Sequence, residues 1–168
     1  GYVPDDTDFL ENVLDWLIPF HRHYTPQDER ASAQLAAMEM LRSGTTSFIE
    51  AGSLTAIDEA AEGLDQIGIR ARIGRRLWDQ STTHAHPARP TAEIVRLLED
   101  ELQRFPGRNG ERVAAWATLI GHFVCTDELW KTARQLSLQY GTGMTFHMSP
   151  APGDVDWYVG RFGRRPLE

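Results

Sequence analysis

The chain has 168 residues, 41% hydrophobic and 24% charged, enough for one domain with a real core and too few for two comfortable ones. Seventeen basic against 24 acidic residues leave a net charge of −7, which argues against a nucleic-acid partner, since such proteins present a basic face. A single cysteine, Cys125, excludes an internal disulfide framework and predicts a reducing, cytoplasmic setting, and no apolar run reaches the roughly 18 residues of a membrane span.

The start, GYVPDDTDF, has neither an initiating Met nor a basic-then-apolar leader, and is expected to be sequence from inside a longer protein. Phe9, Val13, Leu14, Trp16 and Leu17 recur at helical spacing, predicting an amphipathic helix over residues 8–20 that Pro19 stops. Thr25 has the character of an N-cap, with Pro26 at the first helical position and Asp28 and Glu29 in the first turn. That helix should run to Gly44, a good terminating residue. A short strand in TTSFIEAG, a helix in LTAIDEAAEGLDQIG and a strand in IRARIGRRLW follow. A Thr-, His- and Pro-rich loop then leads to the helix TAEIVRLLEDELQRF, the strand RVAAWATLI, the helix TDELWKTARQLSLQYG with Thr126 as its cap, the strand GMTFHMSP and a last helix in GDVDWYVGRFG. One helix followed by four strand–helix units predicts an α/β fold with a parallel sheet and right-handed crossovers.

In such folds chemistry collects beyond the carboxyl ends of the strands. The first predicted strand ends at Glu50, the second at Trp78 and Asp79, the third runs out to His122 and the fourth ends at His147. A lone histidine at a strand end is usually structural, but four strands each delivering a functional group to one rim predict a catalytic face. Two His-x-His pairs invite a metal reading, because alternate residues of a strand share a face and both imidazoles reach one ion. His21 and His23 fall between two helices with no strand before them, and read as connector residues. His84 and His86 sit in a Pro-flanked loop that could overhang the active face. Cys125, three residues after His122, reads as a packing or capping residue rather than a nucleophile. GIRARIG lacks the glycine spacing of a phosphate loop. Trp78, Trp116 and Phe123 fit a flat or apolar ligand and fit packing equally well.

The stretch DWLIPFHRHYTPQDERASAQLAAMEMLRSGTTSFIEAGS resembles the segment that follows the first barrel strand in the amidohydrolase superfamily, nearest to its deaminase and chlorohydrolase branch. Glu39 to Thr46, EMLRSGTT, is the most specific part. GHFVCTDELWKTARQLSLQYGTGMTFHMS is similar to a later part of that family, in which a histidine-bearing loop and a helix lead to a strand ending in a metal-ligand histidine. RFGRRPLE resembles the glycine–x–arginine–proline stretch beyond it.

This resemblance implies a partial (β/α)8 TIM barrel, roughly strands two to five, as a single domain over residues 1–168. It implies a divalent metal, zinc or iron, activating water for attack on a C–N or related bond of a small, often cyclic substrate. His147 matches the metal ligand at the end of the fifth strand. His122 matches the substrate-facing histidine after the fourth strand and Glu50 the acidic position ending the second; with Trp78 they are expected to line the substrate pocket. The family's ligand His-x-His lies on the first strand, so His21 and His23 are not that motif. Many relatives carry a proton-shuttling glutamate three residues after the fifth-strand histidine; here that residue is Pro150, which cannot transfer a proton.

A complete barrel takes about 250 residues, and the 168-residue piece alone is expected to bind metal poorly and to lack substantial hydrolase activity. Two other readings stay open. One is a complete small α/β hydrolase with a metal held by His84, His86 and His122. The other is a non-catalytic half barrel whose open sheet pairs with another subunit. The expected partners are a small-molecule substrate and a second copy of the chain, with no nucleic acid and no membrane.

Overall fold

The computed structural model describes residues 11–81, 87–107, 111–149, 153–166 and 168. They fall into two compact units, Thr25–Phe146 on one hand and the segments up to Tyr24 and from His147 on the other.

In the smaller unit a π-helical stretch, Asn12–Leu17, continues as α1, Ile18–His21. Pro19 was expected to stop this helix, yet the chain stays helical through His21. The residue occupies the first turn of α1, where its missing N–H costs nothing and its fixed φ suits the helix. His21, expected in a connector, is the last residue of α1 and packs its ring 5.2 Å from that of Tyr24; His23 lies in the short connector beyond it. The unit also contains α6, Asp154–Phe162. There Trp157 packs edge-on against Phe162, and Arg161 lies over both rings.

The larger unit carries the alternation. α2, Pro26–Arg42, starts at a capping box: Thr25 Oγ1 accepts from Asp28 N–H at 3.2 Å, and Asp28 Oδ2 accepts from Thr25 N–H at 2.9 Å. β1, Ser47–Ile49, leads to α3, Ile57–Ile67, and β2, Arg70–Ile73, to α4, Thr91–Arg104. β3 (Val113–Ala115) and β4 (Ala117–Gly121) precede α5, Asp127–Tyr140, and β5 is Met144–His147. Gly68 and Gly141 end α3 and α5 in the left-handed conformation that only glycine adopts cheaply.

β1, β2 and β3 form a parallel sheet in that order, with Phe48 opposite Ala71 and Arg72 opposite Ala114; β4 pairs with β5. The single strand predicted over RVAAWATLI is therefore two. The switch falls at Trp116, whose N–H donates to Ile73 O on one neighbour at 3.0 Å, while Ala117 N–H donates to Gly143 O on the other at 3.0 Å.

Two apolar clusters lie under the helices. Ala37 of α2, Ile57, Ala60, Ala61 and Leu64 of α3 and Ala71 and Ile73 of β2 make the first. Ile94, Leu98 and Leu102 of α4, Leu129, Ala133 and Leu136 of α5 and Ala115, Ala117 and Leu119 of the sheet make the second. Alternation along each strand sends one set of side chains into these clusters and the other set to the opposite face.

Candidate active face beyond the strand ends

The predicted second strand loses its regular ladder at Ile73, earlier than the Trp78 expected from sequence. Its backbone nevertheless stays tied to its neighbours: Leu54 bridges Arg75, Arg76 N–H donates to Leu54 O at 2.9 Å, and Leu77 O accepts from Ile120 N–H at 3.1 Å. The reason is Gly74. A Cβ there would lie 2.1 Å from Thr118 Oγ1, so β2 and β4 approach more closely than two side-chained residues permit.

Leu77 is buried in the second cluster, and Trp78, half-buried, packs against that same cluster. Its indole N–H donates to Pro87 O at 2.9 Å, and the Arg89 guanidinium lies over the ring at 5.5 Å. Trp78 thus anchors the returning loop.

His122 lies in the turn just past β4. Its ring is buried and lies 3.9 Å from that of Phe123, centroid to centroid.

Glu50 behaves differently. It shares the register of Phe48, which packs into the first cluster, and its N–H extends the ladder to Arg72 O at 2.7 Å. Its carboxylate accepts from Gly52 N–H (2.7 Å), Ser53 N–H (2.8 Å) and Ser53 Oγ (2.6 Å), closing the turn after β1. Arg76 faces Glu50 and Glu29; burial holds its guanidinium below the usual arginine range, and the two carboxylates oppose that shift.

Cys125 is buried with Sγ 3.7 Å from Leu77 O. Burial pushes its thiol up to about 12, so it stays protonated near neutral pH and packs rather than attacks, as its sequence context implied.

His147 ends β5, exposed, one residue past Phe146, which packs on the second cluster. Among the described residues no group of three or more His, Cys, Asp or Glu side chains could hold a metal ion. His147 supplies one imidazole, whereas a catalytic zinc takes three protein ligands. These residues alone therefore do not build a metal centre. His84, His86 and Pro150 lie outside the described residues.

Asp79 did not stand out in the sequence beyond its place at a strand end. It is buried and takes three hydrogen bonds on its carboxylate: from Thr126 N–H (2.8 Å), Thr126 Oγ (2.5 Å) and Thr91 Oγ (2.8 Å). The one signal in the sequence was indirect, in the two threonines opening α4 and α5.

Comparison with known proteins places the chain in a family. A family model described as the amidohydrolase family matches residues 5–168. The 5-methylthioadenosine/S-adenosylhomocysteine deaminase of Thermococcus kodakarensis is 26% identical over 165 residues, 98% of this chain and 37% of that protein. Among solved structures, a zinc-bound adenosine deaminase from Xanthomonas campestris superposes with a TM-score of 0.76 at 22% identity, covering 98% of this chain and 36% of that one. The guanine deaminase from C. acetobutylicum with bound guanine gives 0.79 at 16% identity, covering 92% and 37%. The chain thus spans a little over a third of the length of the relatives it matches.

Proposed function

The chain belongs to the amidohydrolase family, and on that premise we propose that it is roughly strands two to five of a (β/α)8 barrel in a metal-dependent hydrolase that cleaves a C–N or related bond of a small, cyclic substrate. The observation that carries this reading is the family match across 5–168, joined to relatives that are named deaminases. In the whole protein His147 is one ligand of a divalent ion, zinc or iron, the other ligands belonging to barrel strands not contained in these 168 residues. That ion, when bound, supplies a water acidic enough to attack near neutral pH.

This chain's own residues bind and orient. Trp78 offers a flat wall to a planar ring, held by Pro87 and Arg89. His122 is the nearer hydrogen-bonding group on the substrate, and Glu50 shapes the pocket through the turn it closes rather than by direct contact. Pro150, where many relatives have a proton-shuttling glutamate, leaves proton delivery to another group. The alternative set of His84, His86 and His122 has no support from any relative.

The test is ammonia release by the full-length protein, loaded with zinc, from a panel of aminopurines, aminopurine nucleosides and aminotriazines. Turnover of at least one, lost with the metal in His147→Ala, is the expected result. A full-length protein that binds zinc and turns over none would remove the C–N assignment, and one whose zinc is unaffected by His147→Ala would remove the ligand assignment.

A further inference from the structure

We propose that Asp79 is a positioning residue that sets where His122 stands on the active face. Between the end of β4 at Gly121 and the start of α5 at Asp127 only five residues intervene, and His122 is the first of them. Most of this short bridge is tied to the end of the second strand. Val124 O accepts from Asp79 N–H (3.1 Å) and from Gln80 N–H (2.9 Å), and Cys125 Sγ lies on Leu77 O. Thr126 is held through both its N–H and its hydroxyl by the Asp79 carboxylate. Thr126 Oγ also accepts from Leu129 N–H at 3.2 Å as the N-cap of α5.

The hydroxyl thus gives its one proton to Asp79 and its lone pair to the helix, an order that needs a pure acceptor at position 79. Asparagine would present an NH2 to one of the two Thr126 donors and break the pattern. Oδ2, which takes the Thr126 hydroxyl, also accepts from the Thr91 hydroxyl at the start of α4, and Asp79 O accepts from Arg89 N–H at 3.1 Å. One buried carboxylate therefore locks the His122 bridge, the Trp78 strand end and the loop return into one arrangement. Charge-assisted bonds in a desolvated place are the strong, geometrically demanding kind.

This inference rests on the reading that His122 faces substrate, and the test separates the two. In full-length protein with 15N-labelled histidine, the His122 imidazole signal, assigned by its loss in His122→Gln, should move in Asp79→Asn. The His21 and His23 signals should stay, and Thr126→Ser, which keeps the hydroxyl, should leave His122 in place. If Asp79→Asn fails to fold, Thr126→Val removes the Oδ2 bond while keeping the backbone one, and is read the same way. In the hydrolase assay, kcat should fall about tenfold to a hundredfold in Asp79→Asn with KM little changed, the signature of a misplaced group. A folded Asp79→Asn whose His122 signal is unmoved overturns the proposal. A wild-type protein with no hydrolase activity overturns the functional reading alone, and the imidazole signal still decides the role of Asp79.

Discussion

A Cβ placed on Gly74 would lie 2.1 Å from Thr118 Oγ1 and 2.4 Å from Thr118 Cβ, and one on Gly52, at φ +91°, would lie 3.0 Å from Thr118 Cγ2. Two glycines thus make room for one buried threonine, whose hydroxyl donates to Trp116 O at 3.0 Å. Because the clash at Gly74 includes a Cβ that cannot swing away, Gly74→Ala should destabilise the protein by about 1–3 kcal/mol or more in urea unfolding. Thr118→Ala should restore only part of that loss, since its own Cβ remains in the way. Full restoration would mean that the hydroxyl, and not the strand spacing, is the constraint.

Among the elements, α4 carries an anomaly. Glu101 is fully buried at its inner face. Its Oε2 accepts from Arg75 N–H at 3.2 Å, and the Arg75 guanidinium is 3.4 Å from Oε1; Arg104 adds a second positive charge, and Asp100 a negative one. Burial outweighs these partners and raises the carboxyl to about 7 from an ordinary 4.5. A carboxyl whose folded value is raised keeps its proton in the folded state over a range where the unfolded chain has lost it. Its contribution is therefore whole below pH 4.5 and is lost as pH climbs towards 7, a change of roughly 3 kcal/mol. Denaturant unfolding from pH 4.5 to 7.5 should show a downward slope in the wild type that Glu101→Gln lacks. Equal slopes would mean that Arg75 compensates the charge.

A second device joins elements. α3 has no side-chain cap of its own, and Glu29 of α2 supplies one, accepting from Thr55 N–H, Thr55 Oγ and Ala56 N–H through a single oxygen. Glu29→Ala should cost about 1–2 kcal/mol by stranding those donors. A neutral result in urea unfolding would mean that water replaces the carboxylate.

At the scale of the whole molecule, His147 is the one proposed metal ligand, and among the described residues there is no cluster of three candidate ligands. The isolated chain should therefore take up no stoichiometric zinc in equilibrium dialysis at micromolar metal. Tight one-to-one uptake would mean a site built within this segment. Ile49, on β1, keeps about half its surface in solvent at 51%. No helix among the described residues is long and apolar enough to cross a membrane.

What was legible in the sequence was what is written locally. Helix caps at Thr25 and Thr126, terminating glycines after α3 and α5 and the alternation of helix and strand need only a few neighbouring residues, and they stand where they were expected. The strand ending at His147 was legible in the same way, whereas the second strand stops at Ile73, short of the Trp78 expected. Tertiary structure alone decided the rest, because those outcomes depend on groups far apart in the chain. The break at Trp116 shows only once the neighbouring strands are in place, and the closeness of Gly74 and Thr118 joins residues 44 apart in the chain. The engagement of Glu50 by its own turn, the raised proton affinity of Glu101 and the binding of Thr91 and Thr126 to Asp79 arise from burial and hydrogen bonding, neither of which has a signature in spacing.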